Sequence, residues 1–145
     1  MTTRSEALPD TFGAMSMWDF HPSHQRLLFR CQLDDPESRT TGPDDVFIAS
    51  RFLDLIFWGV SEFRSKVNYR SLAIRRDDDA NSPGALDGHR GFFSLEDSFG
   101  ESGWVICQSI YWMDVRLGAF APSPLMGDSY RFDAFDVSRF DAQVR

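Results

Sequence analysis

Two imidazoles three residues apart, His21 and His24, are the first groups along this 145-residue chain whose type and spacing could do chemistry. Zinc asks for three or four ligands, and His89 is the one other histidine. Cys31 and Cys107 sit within apolar alternation, where a reduced cysteine behaves as a small buried hydrophobe. A polar turn leading into a strand is the plainer reading of the histidines, so neither a metal nor a cofactor is expected. The run Asp77-Asp78-Asp79 lacks the alternate oxygen ligands and sixth-position glycine of a calcium loop and reads as a solvated loop tip. Glu96, Asp97 and Asp114 have the chemistry for acid–base pairing, but sequence alone does not bring them to catalytic separation. Cys107 would need an exposed, electropositive setting to act as a nucleophile, and its neighbours are Val105, Ile106 and Ile110. With no nucleophile elbow, phosphate loop, dinucleotide fingerprint or paired-histidine zinc motif, the chain is not expected to be an enzyme.

The acidic residues have a different organisation. Asp34, Asp35, Glu37, Asp44, Asp45, Asp77, Asp78, Asp79, Glu96, Asp97 and Glu101 all fall in loops or at the ends of expected strands. Strand ends gather at the poles of a sheet, so several of these carboxylates could form one negative surface that steers and orients a basic protein partner. An ordinary solvated surface is the plainer alternative. The net charge of −7 disfavours nonspecific binding to nucleic acid or to anionic membranes, since both require a basic footprint.

The elements that would carry these residues read as mainly β. Leu27, Phe29, Cys31 and Leu33 alternate with Arg26, Leu28, Arg30 and Gln32, the period of a half-buried strand. Residues 46–63 admit two readings. A helix would align Val46, Ala49, Leu53, Ile56 and Val60. A strand would put Leu53, Leu55 and Phe57 on one side and Phe52, Ile56 and Trp58 on the other, interrupted by Asp54 and ended by Gly59. Residues 67–76, 92–97 and 104–117 read as further strands, the last of them long and apolar on both sides. A closing segment turns Phe132, Phe135 and Phe140 inward. Fourteen phenylalanines suit such an interior. The expected fold is an antiparallel sheet of five or six strands, as a sandwich or half-barrel with room for one helix. Residues 1–17 would be a weakly ordered lead-in and residues 18–145 a single globular domain. No secretory signal is visible and no apolar run reaches membrane-spanning length, so a reducing cytoplasm is the expected location.

From Val46 to Arg76 the order is an apolar strand, the Gly59-Val60 break, the polar–aromatic SEFRSKVNY and a strand ending in charge. This order resembles small immunity proteins of bacterial polymorphic-toxin systems, and the later WVICQSIYWMDV is similar in style. The likeness spans roughly residues 25 to 117. It implies a noncatalytic protein that binds and neutralises a cognate toxin domain, and it brings no site residues with it. The alternative from another class is a β-rich protein binding a small hydrophobic ligand, or a small enzyme, with Trp58, Trp104, Tyr111 and Trp112 around a pocket. A structural subunit of a larger assembly is a third.

Overall fold

A computed structural model describes residues 3–5, 7–33, 49–77, 90–98, 100–118, 123–126 and 137–141. Among them are eleven strands: β1 (Thr3–Ser5), β2 (Met15–His21), β3 (Arg26–Gln32), β4 (Ala49–Trp58), β5 (Glu62–Arg64), β6 (Asn68–Tyr69), β7 (Ala73–Arg76), β8 (Gly91–Asp97), β9 (Gly100–Cys107), β10 (Ser109–Gly118) and β11 (Val137–Asp141). They form a seven-stranded sheet in the order β1-β11-β10-β4-β3-β2-β6 and a four-stranded sheet in the order β5-β9-β8-β7. Every pairing is antiparallel except β1 with β11. The sheets are not closed into a barrel. The strand count exceeds the five or six expected because several runs are cut short or change sheet.

The apolar stretch with two readings is a strand. β4 is the centre of the larger sheet, paired along its length with β10 on one side and with β3 on the other. Its side chains therefore alternate between two covered faces, which a helix of the same composition would not allow. Leu55 and Phe57 point between the sheets, together with Leu27, Phe29, Ile110 and Trp112, and meet Phe93, Leu95, Val105 and Cys107 of the smaller sheet. Each such fully buried side chain contributes about 1.5–3 kcal/mol. On the opposite face Leu28, Ile56 and Met113 form a second cluster under Leu125, which a short 3-10 turn at Pro124–Met126 lays across them.

The run over 104–117 is not one strand. Val105 and Cys107 share one phase of alternation, Ile110 and Trp112 the other, and the chain breaks at Gln108 to pass from the smaller sheet to the larger. β4 and β5 make the same transfer at Gly59. The two corners are tied together by the Gln108 N–H on the Trp58 carbonyl (2.9 Å) and the Ser61 N–H on the Ile106 carbonyl (3.0 Å). Gly59 has a positive φ, and a Cβ there would lie 2.6 Å from the Gln108 side chain. No side chain larger than hydrogen fits without displacing Gln108. Residues 67–76 likewise divide, with β6 in the larger sheet and β7 in the smaller.

Within the lead-in expected over residues 1–17, the described residues include ones that pack into the fold. Phe12 and Met15 are buried, the Phe12 N–H donates to the Leu72 carbonyl, and Phe12 packs edge-on against Trp112. Among the described residues no helix is long and apolar enough to cross a membrane.

Candidate interaction surface

Of the expected acidic positions, Asp77, Glu96 and Asp97 have described side chains, and these three do not share one surface. Asp34, Asp35, Glu37, Asp44, Asp45, Asp78 and Asp79 lie outside the described residues, as does the side chain of Glu101. Asp77 follows β7 and its N–H donates to the Phe92 carbonyl, at the start of β8. Glu96 and Asp97 are at the far end of that strand, roughly 15 Å away at ~3.3 Å per residue. Glu96 is half-buried and accepts an ion pair from Arg75 at 3.0 Å.

Asp97 is a clamp instead of a contact residue. Its side chain is 3% exposed and accepts from the Lys66 ammonium (2.9 Å) and from the backbone N–H groups of Ser98 (2.8 Å), Ser71 (3.1 Å) and Arg70 (3.4 Å). Lys66 first, and then these N–H groups, hold its carboxyl well below the ordinary carboxylate range. The carboxylate thus pins the segment that runs from β5 through β6 to β7. An aspartate expected to face a partner is consumed in holding the chain crossover.

A second internal charge was not singled out in the sequence as a pair. Arg30 and Asp54 are register partners on β3 and β4, joined by Nε–Oδ1 at 2.7 Å and Nη2–Oδ2 at 2.9 Å, with side chains 1% and 0% exposed. The guanidinium lies 4.7 Å from the Phe52 ring centre and 5.1 Å from that of Trp18. Trp18 is the extra residue of a bulge in β2, since the pairing with β3 shifts between Met17 and Asp19. The bulge sets the indole over a guanidinium that a buried carboxylate holds in place, while 41% of Trp18 remains exposed. The detectable signal was a lone aspartate within an apolar strand, which needs a buried partner.

The remaining chemical candidates are spoken for or dispersed. Asp114 is bound by Arg51 at the surface, and burial pushes the Cys107 thiol up beyond reactive range. His21 lies 3.2 Å from Asp19; the His24 side chain and His89 are outside the described residues. Among the described residues no three His, Cys, Asp or Glu side chains are grouped to hold a metal ion. Trp58 and Tyr111 pack edge-on on the outer face of the larger sheet, Trp112 lies in the core, and Trp104 stacks on Phe92. These four rings occupy three different surfaces, so they do not line one cavity.

One end of the larger sheet stands apart. Trp18, Phe20 and Val67 are the large apolar side chains exposed among the described residues, at 41%, 38% and 63%. Phe20 packs edge-on against Phe63 at 5.0 Å, linking β2 at the margin of one sheet to β5 at the margin of the other. The Met17 N–H donates to the Val67 carbonyl, bringing Val67 beside them. An open groove of about 330 Å³ next to β5 is lined by Arg64, Ser102, Gly103 and Trp104. Exposed apolar side chains on both faces of this end of the sheet, Trp18 over Arg30 and Phe20 against Phe63, have the anatomy of a protein contact. No family model matches the chain, nor does any curated protein or solved structure.

Proposed function

We propose that the chain is a noncatalytic protein-binding module, an immunity-type inhibitor that neutralises a cognate bacterial toxin domain in the cytoplasm. The observation that carries this reading is the exposure of Trp18, Phe20 and Val67 along the β2–β6 end of the larger sheet. Trp18 has the attributes of a binding hot spot: an aromatic surface held in advance by the Arg30–Asp54 pair, so little freedom is lost on docking. The net charge of −7 acts at longer range, speeding encounter with a basic partner instead of supplying a single acidic contact rim. A small-ligand reading has less support, because its four aromatic residues lie on separate surfaces. The test is to mix the purified chain with the toxin domain encoded next to its gene. A stable complex and loss of toxicity are expected, with affinity at least tenfold lower for Trp18→Ala or Phe20→Ser. Neither complex nor inhibition would end the proposal.

A further inference from the structure

We infer that the groove beside β5 is a binding site for a small aromatic monocarboxylate, its carboxylate on the Arg64 guanidinium and its ring on Trp104. The inference goes beyond the toxin reading and does not depend on it. Arg64 and Trp104 are register partners on β5 and β9, so their side chains leave the smaller sheet on the same face. Val105 and Cys107 of β9 alternate toward the core, so this face is the one turned away from the larger sheet. Ser102 is the extra residue of a bulge in β9, where the pairing with β8 shifts between Leu95 and Glu96. Bulges re-aim side chains and recur beside functional sites. With the backbone of Gly103 these residues line an open groove of about 330 Å³, within the roughly 300–1,000 Å³ of small-molecule sites.

Each wall supplies a separate part of the recognition. Arg64 is exposed, and among the described residues its guanidinium is the cationic group left without a hydrogen bond, ion pair or ring contact. A shortage of carboxylates is not the cause, since Asp and Glu number 22 against 15 Lys and Arg. A guanidinium presents parallel N–H donors that match the two oxygens of a carboxylate. Trp104 is half-buried and stacks on Phe92, with ring centres 5.7 Å and planes 24° apart, so the indole is held before any ligand arrives. Its remaining surface takes an aromatic ring at little cost in side-chain freedom. The Ser102 hydroxyl donates to the Leu95 carbonyl (3.3 Å), which leaves its lone pairs to accept from a hydroxyl on the ligand. Glu62 sets the charge. It is exposed two residues before Arg64 on the same face, roughly 7 Å along the strand, and opposes a second negative charge. The site of Trp104 thus stands alone, without help from the other three rings once considered for a pocket.

Titrating para-hydroxybenzoate into the full chain tests this, read by heteronuclear NMR at the Trp104 Nε1–H and Arg64 Nε–H signals. Saturable shifts at both are expected, with half-saturation at about 0.1–1 mM for a small ligand in an open groove. Arg64→Gln removes a charge that has no partner to lose, so the fold is spared and affinity should fall about tenfold. Arg64→Lys keeps the charge without the fork and should recover only part of that loss. Arg75→Gln, at the far margin of the same sheet, should leave binding unchanged. Cyclohexanecarboxylate, which lacks a flat ring, should bind about fivefold more weakly. Uncharged para-hydroxybenzamide and doubly charged phthalate should also bind more weakly. No saturable shift, shifts that map away from Trp104, or equal affinity in wild type and Arg64→Gln would overturn the inference. Inorganic phosphate or cyclohexanecarboxylate binding as tightly as para-hydroxybenzoate would overturn it too, by reducing the site to a bare cation.

Discussion

Replacing Asp54 by alanine would leave the Arg30 guanidinium charged, dry and without its carboxylate. The pair is bidentate at 2.7 and 2.9 Å, and neither side chain is more than 1% exposed. Removing one partner of such a buried pair costs about 3–5 kcal/mol, because the remaining charge cannot recover its hydration. Phe52 and Trp18 soften the loss through their ring faces but cannot replace a carboxylate. The protein contains its own control. Arg51 and Asp114 are joined the same way, with side chains 44% and 45% exposed, so Asp114→Ala should cost only about 0–1 kcal/mol. Urea unfolding reads the contrast: at a slope of about 2 kcal/mol/M, the Asp54→Ala midpoint should fall by about 2 M and the Asp114→Ala midpoint by less than about 0.5 M. Joint replacement, Arg30→Met with Asp54→Leu, should recover most of the loss, since apolar residues of similar volume commonly substitute for a buried pair. If Asp54→Ala and Asp114→Ala shift the midpoint equally with unchanged slopes, the reasoning about burial is wrong.

Asp97→Asn should destabilise the chain at neutral pH and progressively less in acid. The folded carboxyl titrates below its ordinary value of 3.8, so its stabilisation is complete above about pH 4 and drains away as pH falls through the folded value. Unfolding midpoints of the two proteins should therefore draw together progressively as pH falls below about 4; a constant gap would contradict the clamp. Gly103→Ala would place a Cβ 2.3 Å from the Arg64 carbonyl oxygen and 3.1 Å from the Tyr69 hydroxyl. Because the first of these is backbone, the strand must shift, and thermal unfolding should report a loss of about 1–3 kcal/mol. Cys107, fully buried with its thiol pushed up, should ignore a thiol reagent until the chain unfolds, whereas Cys31 is only half-buried. Two native thiols reacting at the unfolded rate would refute that assignment.

Strands with regular alternation were legible because a period of two depends only on neighbours. β3 and β8 fall where the pattern puts them, and the density of aromatic and β-branched residues decided β4 in favour of a strand. The corner at Gln108 was written in the sequence but easy to pass over: from Cys107 to Ile110 is three residues, an odd step that reverses the facing. What alternation does not carry is long-range company. Lys66 and Asp97 are 31 positions apart, and only the crossover between β5 and β7 brings them together. The same holds for Arg30 with Asp54 and for Phe20 with Phe63. Trp18 depends on a bulge, an irregularity that no periodic template anticipates. The expected acidic rim therefore lost Asp97 to the interior, while the exposed apolar end of the larger sheet emerged only once β6 was placed beside β2.

Calorimetric titration of the neighbouring gene's toxin domain into wild-type chain and into Trp18→Ala is the most direct test of binding through the β2–β6 end. The expected result is a saturable one-to-one complex with wild type, at least tenfold weaker with Trp18→Ala at unchanged stability. Equal affinity for both would move the contact away from this end, and no heat with either would contradict the binding function itself.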